Sequence, residues 1–343
     1  ITEGGYAKLL FDKFGQEIAD LVEGVSKLSG IKFSSRREKQ AENFMKMFLS
    51  VAKDLRVIII KFADRLHNMS TIKHLPLIKQ RRIAVETRDV YAPLAHRLGM
   101  NKLKIELEDL ILKTLDPNEF RLIQKKTKAT KKQREKYIEE FSLPIKNEIK
   151  KFKIDANIFG RAKHYFSISG KMQKQNKKYE ELFDLFAIRI IIDKIEECYA
   201  VLGIIHQLFT PLQERFKDYI ATPKSNGYQS IHTTVFGHSG KMVEVQIRTK
   251  EMDQTAESGV AAHWLYKKSD TVTADDKKIN RHMKWLKDLV EVLQAEDSNP
   301  NEFLKLLKVD LFKDEIFVFT PAGDVTPLPA DSTPIDFAFQ VHT

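Results

Sequence analysis

The chain has 343 residues, which is enough for two or three domains, and 42% of them are hydrophobic, so it can fill substantial cores. Its formal charge is +10, from 57 Lys and Arg against 47 Asp and Glu, which favours an anionic partner, either nucleic acid or a small polyphosphate. The single cysteine, Cys198, excludes an intrachain disulfide and any zinc site that needs two cysteines, and it fits a reducing cytoplasm. No apolar run approaches the roughly 20 residues that span a bilayer, so no membrane partner is expected.

The two ends of the sequence predict a fragment of a longer protein. Ile1 is not an initiator Met and begins no signal-like segment. The last residues, 341–343, stop within a strand-like pattern.

The N-terminal third predicts helices, from residue 6 to about 115. Apolar side chains recur at helical spacing from Leu9 to Val25, and again from Phe44 to Leu55. Residues 124–136 then carry seven basic residues and one acidic residue, without an aromatic side chain that could stack on a base. A solvated helix in a connector therefore explains this run better than a nucleic-acid-binding arm.

Beyond residue 155 the pattern changes to strands mixed with helices, which predicts an α+β or α/β domain on a largely antiparallel or mixed sheet. The expected strands cover residues 183–192, 231–236 and 242–247, and the expected helices cover 199–209 and 250–266. A small β-rich module begins after Asp310.

A first polar cluster lies at residues 161–171. Arg161 and Lys163 are two apart, so on a strand they point to one face, and Ser167 and Lys171 are four apart, on one face of a helix. Three cations and a hydroxyl suit a triphosphate, although basic pairs of this kind also occur on solvated surfaces.

Two carboxylates form the centre of the next pattern. Asp184, at the start of the apolar strand, needs either an ion pair or a bound cation. Alternation places Glu244, Gln246 and Arg248 on one sheet face, which is either exposed to solvent or the floor of an active site. Asp184 and Glu244 together would supply the two carboxylates of magnesium-dependent phosphoryl transfer.

The loop of residues 215–232 is rich in cations, amides and tyrosines around an Asn-Gly turn. Tyr228 could stack on a nucleobase, or it could be an ordinary packed tyrosine beside a β-turn.

Taken together, these segments resemble a known family. The runs RAKHYFSI, FDLFAIR, RFKDYIATPKSNGYQSIHTTV, EVQIRT and AAHW are similar to the synthetase domain of the long RelA/SpoT-type alarmone enzymes. The resemblance covers essentially the whole chain. It implies a bacterial stringent-response enzyme that transfers pyrophosphate from ATP to the 3′-hydroxyl of GDP or GTP, giving (p)ppGpp, and the basic segment 215–218 resembles that of bifunctional members.

The resemblance also assigns roles to individual residues. For ATP it implies Arg161, Lys163, Ser167, Lys171 and Arg189, with the two arginines stacking on adenine. For GDP or GTP it implies Lys217, Lys224, Asn226, Tyr228, His232 and Gln246. Asp184 and Glu244 are the implied catalytic and magnesium-binding carboxylates.

The helical part resembles an incomplete HD-type hydrolase domain. In KFADRLHNM, residues Val57, Ile60, Asp64 and His67 fall on one helical stripe, so Asp64 is expected on an apolar face, where Mn²⁺ would be its partner. Other residues implied for the hydrolase nucleotide site are Arg65, Asn68 and Thr71. Since no His-Asp dipeptide occurs in the chain, the remaining ligands are expected upstream of Ile1, and hydrolase activity is expected only of the full-length protein.

The predicted organisation has four parts. They are an incomplete helical HD-type domain (1–115), a basic helical connector (116–155), a mixed-sheet, nucleotidyltransferase-like synthetase domain (156–300) and the beginning of a β-grasp TGS domain (312–343). Ribosome and uncharged tRNA are partners implied for C-terminal regions absent from this sequence.

Other functions fit the sequence less well. A non-catalytic nucleotide- or RNA-binding regulator of the same fold would not need both carboxylates. A polymerase-type nucleotidyltransferase would need a Gly-Ser helix start and an Asp-x-Asp strand, and a P-loop kinase would need Ser or Thr where Met172 follows Lys171.

Overall fold

A computed structural model describes residues 3–26, 35–181, 186–261, 315–320 and 325–342. The chain divides into two compact units: one comprises residues 1–72, 89–94 and 267–343, the other residues 73–88 and 95–266. None of the described helices is long and apolar enough to cross a membrane.

The N-terminal region is helical, as the sequence predicts. Its helices are α1 (Glu3–Val25), α2 (Arg36–Lys53), α3 (Arg56–Ser70), α4 (Leu77–Glu86) and α5 (Ala92–Arg97). A π-helical segment, Thr87–Tyr91, joins α4 to α5. The first unit is centred on aromatic side chains, with the Tyr91 ring 5.8 Å from Phe44 and 6.4 Å from Phe62.

Three connecting helices follow: α6 (Asn101–Leu115), α7 (Pro117–Ala129) and α8 (Lys131–Lys151). Helix α7 begins where the sequence predicts a break, because Asp116 accepts a hydrogen bond from the Glu119 amide (2.9 Å) and a proline occupies the first turn. Most lysines of the basic run are exposed, which confirms the solvated helix face.

The sheet of the second unit has five strands in the order β1-β2-β5-β4-β3. They are β1 (Asn157–Gly160), β2 (Phe186–Ile192), β3 (Lys217–Asp218), β4 (Ile231–Phe236) and β5 (Met242–Thr249). Strands β2 and β5 are parallel and every other pair is antiparallel, so the predicted mixed sheet is confirmed.

Three further helices accompany these strands: α9 (Tyr165–Gln175), α10 (Ile195–Leu208) and α11 (Lys250–Ser258). One face of the sheet packs on α8 and α10 through buried side chains such as Phe141, Ile190, Val201 and Val245. Each such side chain contributes about 1.5–3 kcal/mol through burial. Because this face carries the core, the opposite face is left for polar side chains.

The C-terminal segment contains an antiparallel hairpin, β6 (Glu315–Phe319) and β7 (Val325–Pro329), and a helix, α12 (Pro334–His342). The strand-like interpretation of residues 341–343 is therefore wrong over the described residues. Thr333 and Asp336 explain the difference, because each hydrogen-bonds the other's backbone amide (2.7 and 3.4 Å) and together they cap α12. The start of a TGS domain stays a prediction.

Candidate active site

The polar face of the sheet brings side chains from distant segments into two neighbouring rows. In one row Arg189 lies beside Gln246, and Gln246 beside His232. The row next to it pairs Glu244 with Thr234. The alternation predicted for β5 is thus confirmed, and it places this polar face next to the segment that precedes α9.

Glu244 is the centre of the best-defined cluster on this face. Its carboxylate lies 3.8 Å from Nη1 of Arg161 and 3.7 Å from Nζ of Lys163, and it accepts a hydrogen bond from Nε2 of Gln246 (2.8 Å). Burial raises the pKa of Glu244, but Lys163, the Gln246 hydrogen bond and Arg161 outweigh burial and hold that pKa below its ordinary value. The carboxylate is therefore ionised at neutral pH.

The backbone explains why Arg161 and Lys163 converge. The Arg161 amide donates to the carbonyl oxygen of Ala187 (2.8 Å), which extends the β1–β2 pairing by one residue. Residues 161–164 continue without helix, so side chains two apart point the same way. Lys163 is only 7% exposed, and its charge is therefore screened less than that of a surface lysine.

Ser167 and Lys171 lie where the sequence predicts, one turn apart on α9, and both are half-buried. Their helix begins immediately after Lys163 and His164. A hydroxyl, two ammonium groups and a guanidinium thus come from one continuous segment of the chain.

The loop of residues 215–232, predicted to bind the acceptor GDP or GTP and called the acceptor loop below, contains a compact cluster of aromatic side chains. The Tyr228 hydroxyl and His232 Nε2 are 2.8 Å apart, and the Tyr219 ring lies 6.0 Å from Tyr228 and 5.3 Å from His232. Burial is the main cause that lowers the pKa of His232 to about 4 and raises that of Tyr228. Both side chains are consequently neutral at pH 7 and interact by hydrogen bonding and ring contacts.

Two of the other residues predicted for the GDP or GTP site, Lys224 and Lys217, lie at different distances from this aromatic group. Lys224 Nζ lies 4.8 Å from the Tyr219 ring and 5.9 Å from the Tyr228 ring, so it is at the edge of the aromatic cluster. Lys217 is exposed on β3 and pairs with His232.

Asn226 has a structural position that the sequence does not indicate. It is 7% exposed, its Nδ2 donates to the His96 carbonyl (3.0 Å), and its Oδ1 accepts from the Tyr228 amide (3.2 Å). The Nδ2 end therefore ties the loop to α5 and the Oδ1 end fixes the Tyr228 backbone, so Asn226 orients Tyr228.

Arg189 and Arg248 share two carboxylates of α11. Arg189 Nη1 donates to Asp253 (3.1 Å) and Glu257 (2.9 Å), and Arg248 Nη2 donates to the same two residues. The Arg248 side chain is 1% exposed and its guanidinium carbon lies 5.8 Å from the Tyr228 ring. This ion-pair network links β2, β5, α11 and the acceptor loop.

The residues around Glu244 include oxygen atoms that could hold a divalent metal. Asp184, the second predicted ligand, lies outside the described residues. Gln246 Oε1 is buried and has no hydrogen-bond partner in the part of the chain that the structure describes. An ionised carboxylate next to an unsatisfied amide oxygen is an oxygen donor set, which is the kind that Mg²⁺ prefers, so the residues present fit this ion.

The predicted hydrolase residues lie on α3 and the turn after it. The expectation that Asp64 lies on an apolar face is wrong: Asp64 and His67 are exposed, Ile60 is 43% exposed, and the buried face of α3 is formed by Val57, Ile58, Phe62 and Met69.

The other residues predicted for the hydrolase nucleotide site are Arg65, Asn68 and Thr71. Asn68 and Thr71 are exposed, and the Arg65 guanidinium lies 4.0 Å from the Tyr91 ring. Among the described residues, no three His, Cys, Asp or Glu side chains are close enough to hold a metal ion.

Sequence reasoning missed four carboxylates that surround the site. Asp253 and Glu257 could have been found, because they are four residues apart on a predicted helix directly after Arg248. Glu108 and Asp109 of α6, which contact the start of α9, are more than 50 residues away in sequence and carry no local signal.

Comparison with known proteins identifies both parts of the chain. Residues 160–271 match the region found in RelA/SpoT proteins, and residues 4–101 match the HD domain. The chain is 48% identical over 337 residues to a GTP pyrophosphokinase of Myxococcus xanthus, covering 97% of this chain and 44% of the relative. It is 47% identical over 331 residues to the bifunctional (p)ppGpp synthase/hydrolase SpoT of Escherichia coli K12, covering 96% and 47%.

Among solved structures, small alarmone synthetase 1 of Bacillus subtilis bound to pppGpp aligns with 48% of this chain and 92% of its own, at 24% identity and a TM-score of 0.31. The chain spans about half the length of the curated relatives it matches. With an HD domain over its N-terminal helices and a RelA/SpoT region over its sheet, the chain belongs to the RelA/SpoT family.

Proposed function

We propose that this chain transfers pyrophosphate from ATP to the 3′-hydroxyl of GDP or GTP, forming the alarmone (p)ppGpp. The observation that carries the proposal is the position of ionised Glu244 beside two cations, on the sheet face next to the row that contains His232, which contacts Tyr228. The match of residues 160–271 to the RelA/SpoT region and the names of the relatives support the same reaction.

The residues divide the work in a way that follows from their charges. Lys163, with Ser167 and Lys171 of α9, would bind the ATP phosphates, because cations neutralise charge that is spread over the phosphoryl oxygens. Arg161 and Arg189 would stack on the adenine, as the family resemblance implies. Tyr228 would present its ring to the guanine of the acceptor, with Lys224 at the edge of the same cluster.

The transfer itself needs one proton acceptor and two held substrates. The 3′-oxygen of the acceptor forms a bond to the β-phosphorus of ATP, the bond from that phosphorus to the α–β bridging oxygen breaks, and AMP leaves. Glu244, ionised and bonded to Gln246, would accept the proton of the attacking hydroxyl. Mg²⁺, when bound at Glu244 and the predicted Asp184, would supply further charge neutralisation.

Hydrolysis of the alarmone is a second candidate function, for the longer protein. Its support is the HD match over residues 4–101 and the names of relatives that hydrolyse (p)ppGpp. Asp64, Arg65, Asn68 and Thr71 would belong to that site, with Mn²⁺ as the proposed metal. Release of pyrophosphate from ppGpp by the longer protein, and its loss in Asp64→Asn, would support this assignment.

The synthetase proposal is tested with labelled ATP and unlabelled GDP in the presence of Mg²⁺. We expect ppGpp and AMP in equal amounts from the parent. The rate of ppGpp formation should fall at least about 100-fold in Glu244→Gln and in Asp184→Asn, because each substitution removes a negative charge that stabilises the transition state. Glu196→Gln is the matched control, because Glu196 is an exposed carboxylate at the start of α10, on the other face of the sheet.

Two outcomes would contradict the proposal. One is a parent that binds both nucleotides and makes no ppGpp, which would favour the non-catalytic regulator. The other is a Glu244→Gln variant as active as the Glu196→Gln control. Contacts with the ribosome and with tRNA, and the choice between GDP and GTP, stay predictions from family resemblance.

A further inference from the structure

Helix α9, which carries Ser167 and Lys171, lacks a cap of its own. The residue before it, His164, makes no side-chain hydrogen bond to the first-turn amides. An uncapped helix start leaves amide donors unsatisfied and tends to fray. Something else must hold the first turn in place.

The missing cap comes from α6. Asp109 Oδ1 accepts a hydrogen bond from the Phe166 amide (2.9 Å), and Glu108 Oε2 lies 3.1 Å from His164 Nε2. Glu108 is 13% exposed and His164 is 17% exposed, so this contact is largely shielded from water. Two adjacent carboxylates thus hold two successive parts of the nucleotide-binding segment.

A second contact holds α9 on the side away from the site. Ser169 and Gln173 bond the Glu119 carboxylate of α7, at 3.0 and 3.2 Å. They are offset by two residues from Ser167 and Lys171, which is roughly half a turn of helix. The helix is therefore held from behind while its other side faces the candidate site.

We propose that Glu108 and Asp109 are positioning residues of the ATP site: they fix the start of α9, and through it the phosphate-binding side chains Lys163, Ser167 and Lys171. This inference rests on the proposed function. The two carboxylates belong to neither matched region, since α6 lies between residues 101 and 160. The geometry of the synthetase site thus depends on a helix outside the RelA/SpoT region.

The cap also restricts how the triphosphate can bind. A helix start often binds phosphate through its free amides, but the Phe166 amide already donates to Asp109. The Phe166 amide is therefore not free for the ATP phosphates, and the side chains of this segment carry correspondingly more of their binding.

The experiment measures both nucleotide binding and turnover in four variants. Asp109→Ala removes the acceptor oxygen, Asp109→Asn keeps it, and Glu108→Gln removes the charge next to His164. Glu106→Ala is the control, because Glu106 is an exposed carboxylate on the same helix. Calorimetry with a non-hydrolysable ATP analogue and with GDP reports binding independently of turnover.

We expect Asp109→Ala to raise KM for ATP and Kd for the analogue by about 10- to 100-fold. This is the effect expected when binding side chains shift by up to about 1 Å. Values for GDP should stay within about twofold, as in Glu106→Ala, because no acceptor residue lies on α9. Asp109→Asn should recover most of the ATP affinity, and Glu108→Gln should weaken it to a smaller extent.

Equal losses for ATP and GDP, or a variant Asp109→Ala indistinguishable from Glu106→Ala, would overturn the positioning role. If Asp109→Ala proves too unstable to measure, Asp109→Asn and Glu108→Gln decide alone, and ATP binding unchanged in both would overturn it. A parent that makes no ppGpp but binds the analogue would refute the proposed function, and the calorimetry would still decide the role of Asp109.

Discussion

Gly259, directly after α11, occupies a position where a side chain has no room. Its backbone has φ 53° and ψ −134°, and its amide donates to the Thr255 carbonyl (2.8 Å). The next amide, of Val260, donates to the Leu98 carbonyl (3.1 Å). A Cβ at Gly259 would lie 2.2 Å from that same Leu98 oxygen and 2.4 Å from the carbonyl carbon of Gly99.

The cost of Gly259→Ala can be worked from these contacts. Forcing a non-glycine residue into this backbone region costs about 1–3 kcal/mol. The close oxygen must move away, which breaks the Val260–Leu98 hydrogen bond at a further cost of about 0.5–1.5 kcal/mol. The total of about 1.5–4.5 kcal/mol corresponds to a fall in melting temperature of about 3–18 °C for a domain of this size.

The comparison with Gly240→Ala makes the test specific. Gly240 also has a positive φ of 68°, but nothing lies within 4 Å of the Cβ it would gain. We therefore expect only the backbone cost there, about 1–2 kcal/mol. Thermal unfolding followed by circular dichroism measures both variants, and equal shifts in melting temperature would refute the claim that the Leu98–Gly99 backbone closes this site.

Three further predictions follow from the second unit. The double variant Asp253→Asn/Glu257→Gln removes both negative charges that pair with Arg189 and with the buried Arg248. The free energy of unfolding should fall by about 3 kcal/mol in urea titration, the lower end for a broken buried pair because both carboxylates are partly exposed. Burial lowers the pKa of His96 to about 4. In the unfolded chain the His96 imidazole has a pKa of about 6.5 and is protonated first as the pH falls. The stabilising contribution of neutral His96 should therefore be complete above about pH 6.5 and decline as the pH falls towards 4. In urea titrations at about pH 7 and about pH 5, His96→Gln should reduce this decline. Gly170→Ala should raise the free energy of unfolding by about 0.5–1 kcal/mol in the same assay, because Gly170 is inside α9 with nothing within 4 Å of the added Cβ; a loss of stability would contradict this.

Three of the five strands of the sheet, β2, β4 and β5, were predictable from the sequence because their patterns are local, whereas β1 and β3, with four and two residues, are too short to show a pattern. Alternation in residues 242–247 predicts β5 and also which side chains share the face of Glu244. Arg161 and Lys163 share a side for the same reason. What no local pattern contains is the register between strands, which brings Arg189 beside Gln246 and Gln246 beside His232.

The wrong expectation for Asp64 has a similar physical cause. Helical periodicity groups Val57, Ile60, Asp64 and His67 on one stripe, but it does not tell which stripe another element covers. In the structure the buried side of α3 is formed by Phe62 and its neighbours, and Ile60 is exposed. An apolar residue on a stripe therefore indicates a possible core face, and only a packing partner makes it one.

The cations of the site differ in how closely they approach the carboxylates around them. Arg161 and Lys163 approach Glu244 at 3.8 and 3.7 Å, which is longer than a hydrogen bond. Arg189, in contrast, donates to two carboxylates at 2.9 and 3.1 Å.

This difference bears on the predicted stacking of Arg189 on adenine. Hydrogen bonds to carboxylates use the edge of a guanidinium and fix its plane, which leaves its flat faces for ring contacts. The Phe159 ring already lies on one side of Arg189, 5.9 Å from its guanidinium carbon, so a base would stack on the other side. Asp253 and Glu257 would then hold Arg189 ready for a base without competing for it, whereas an oxygen ligand such as phosphate would have to displace them. The two ion pairs thus weigh against a phosphate-binding role for Arg189, and its stacking on adenine stays a prediction.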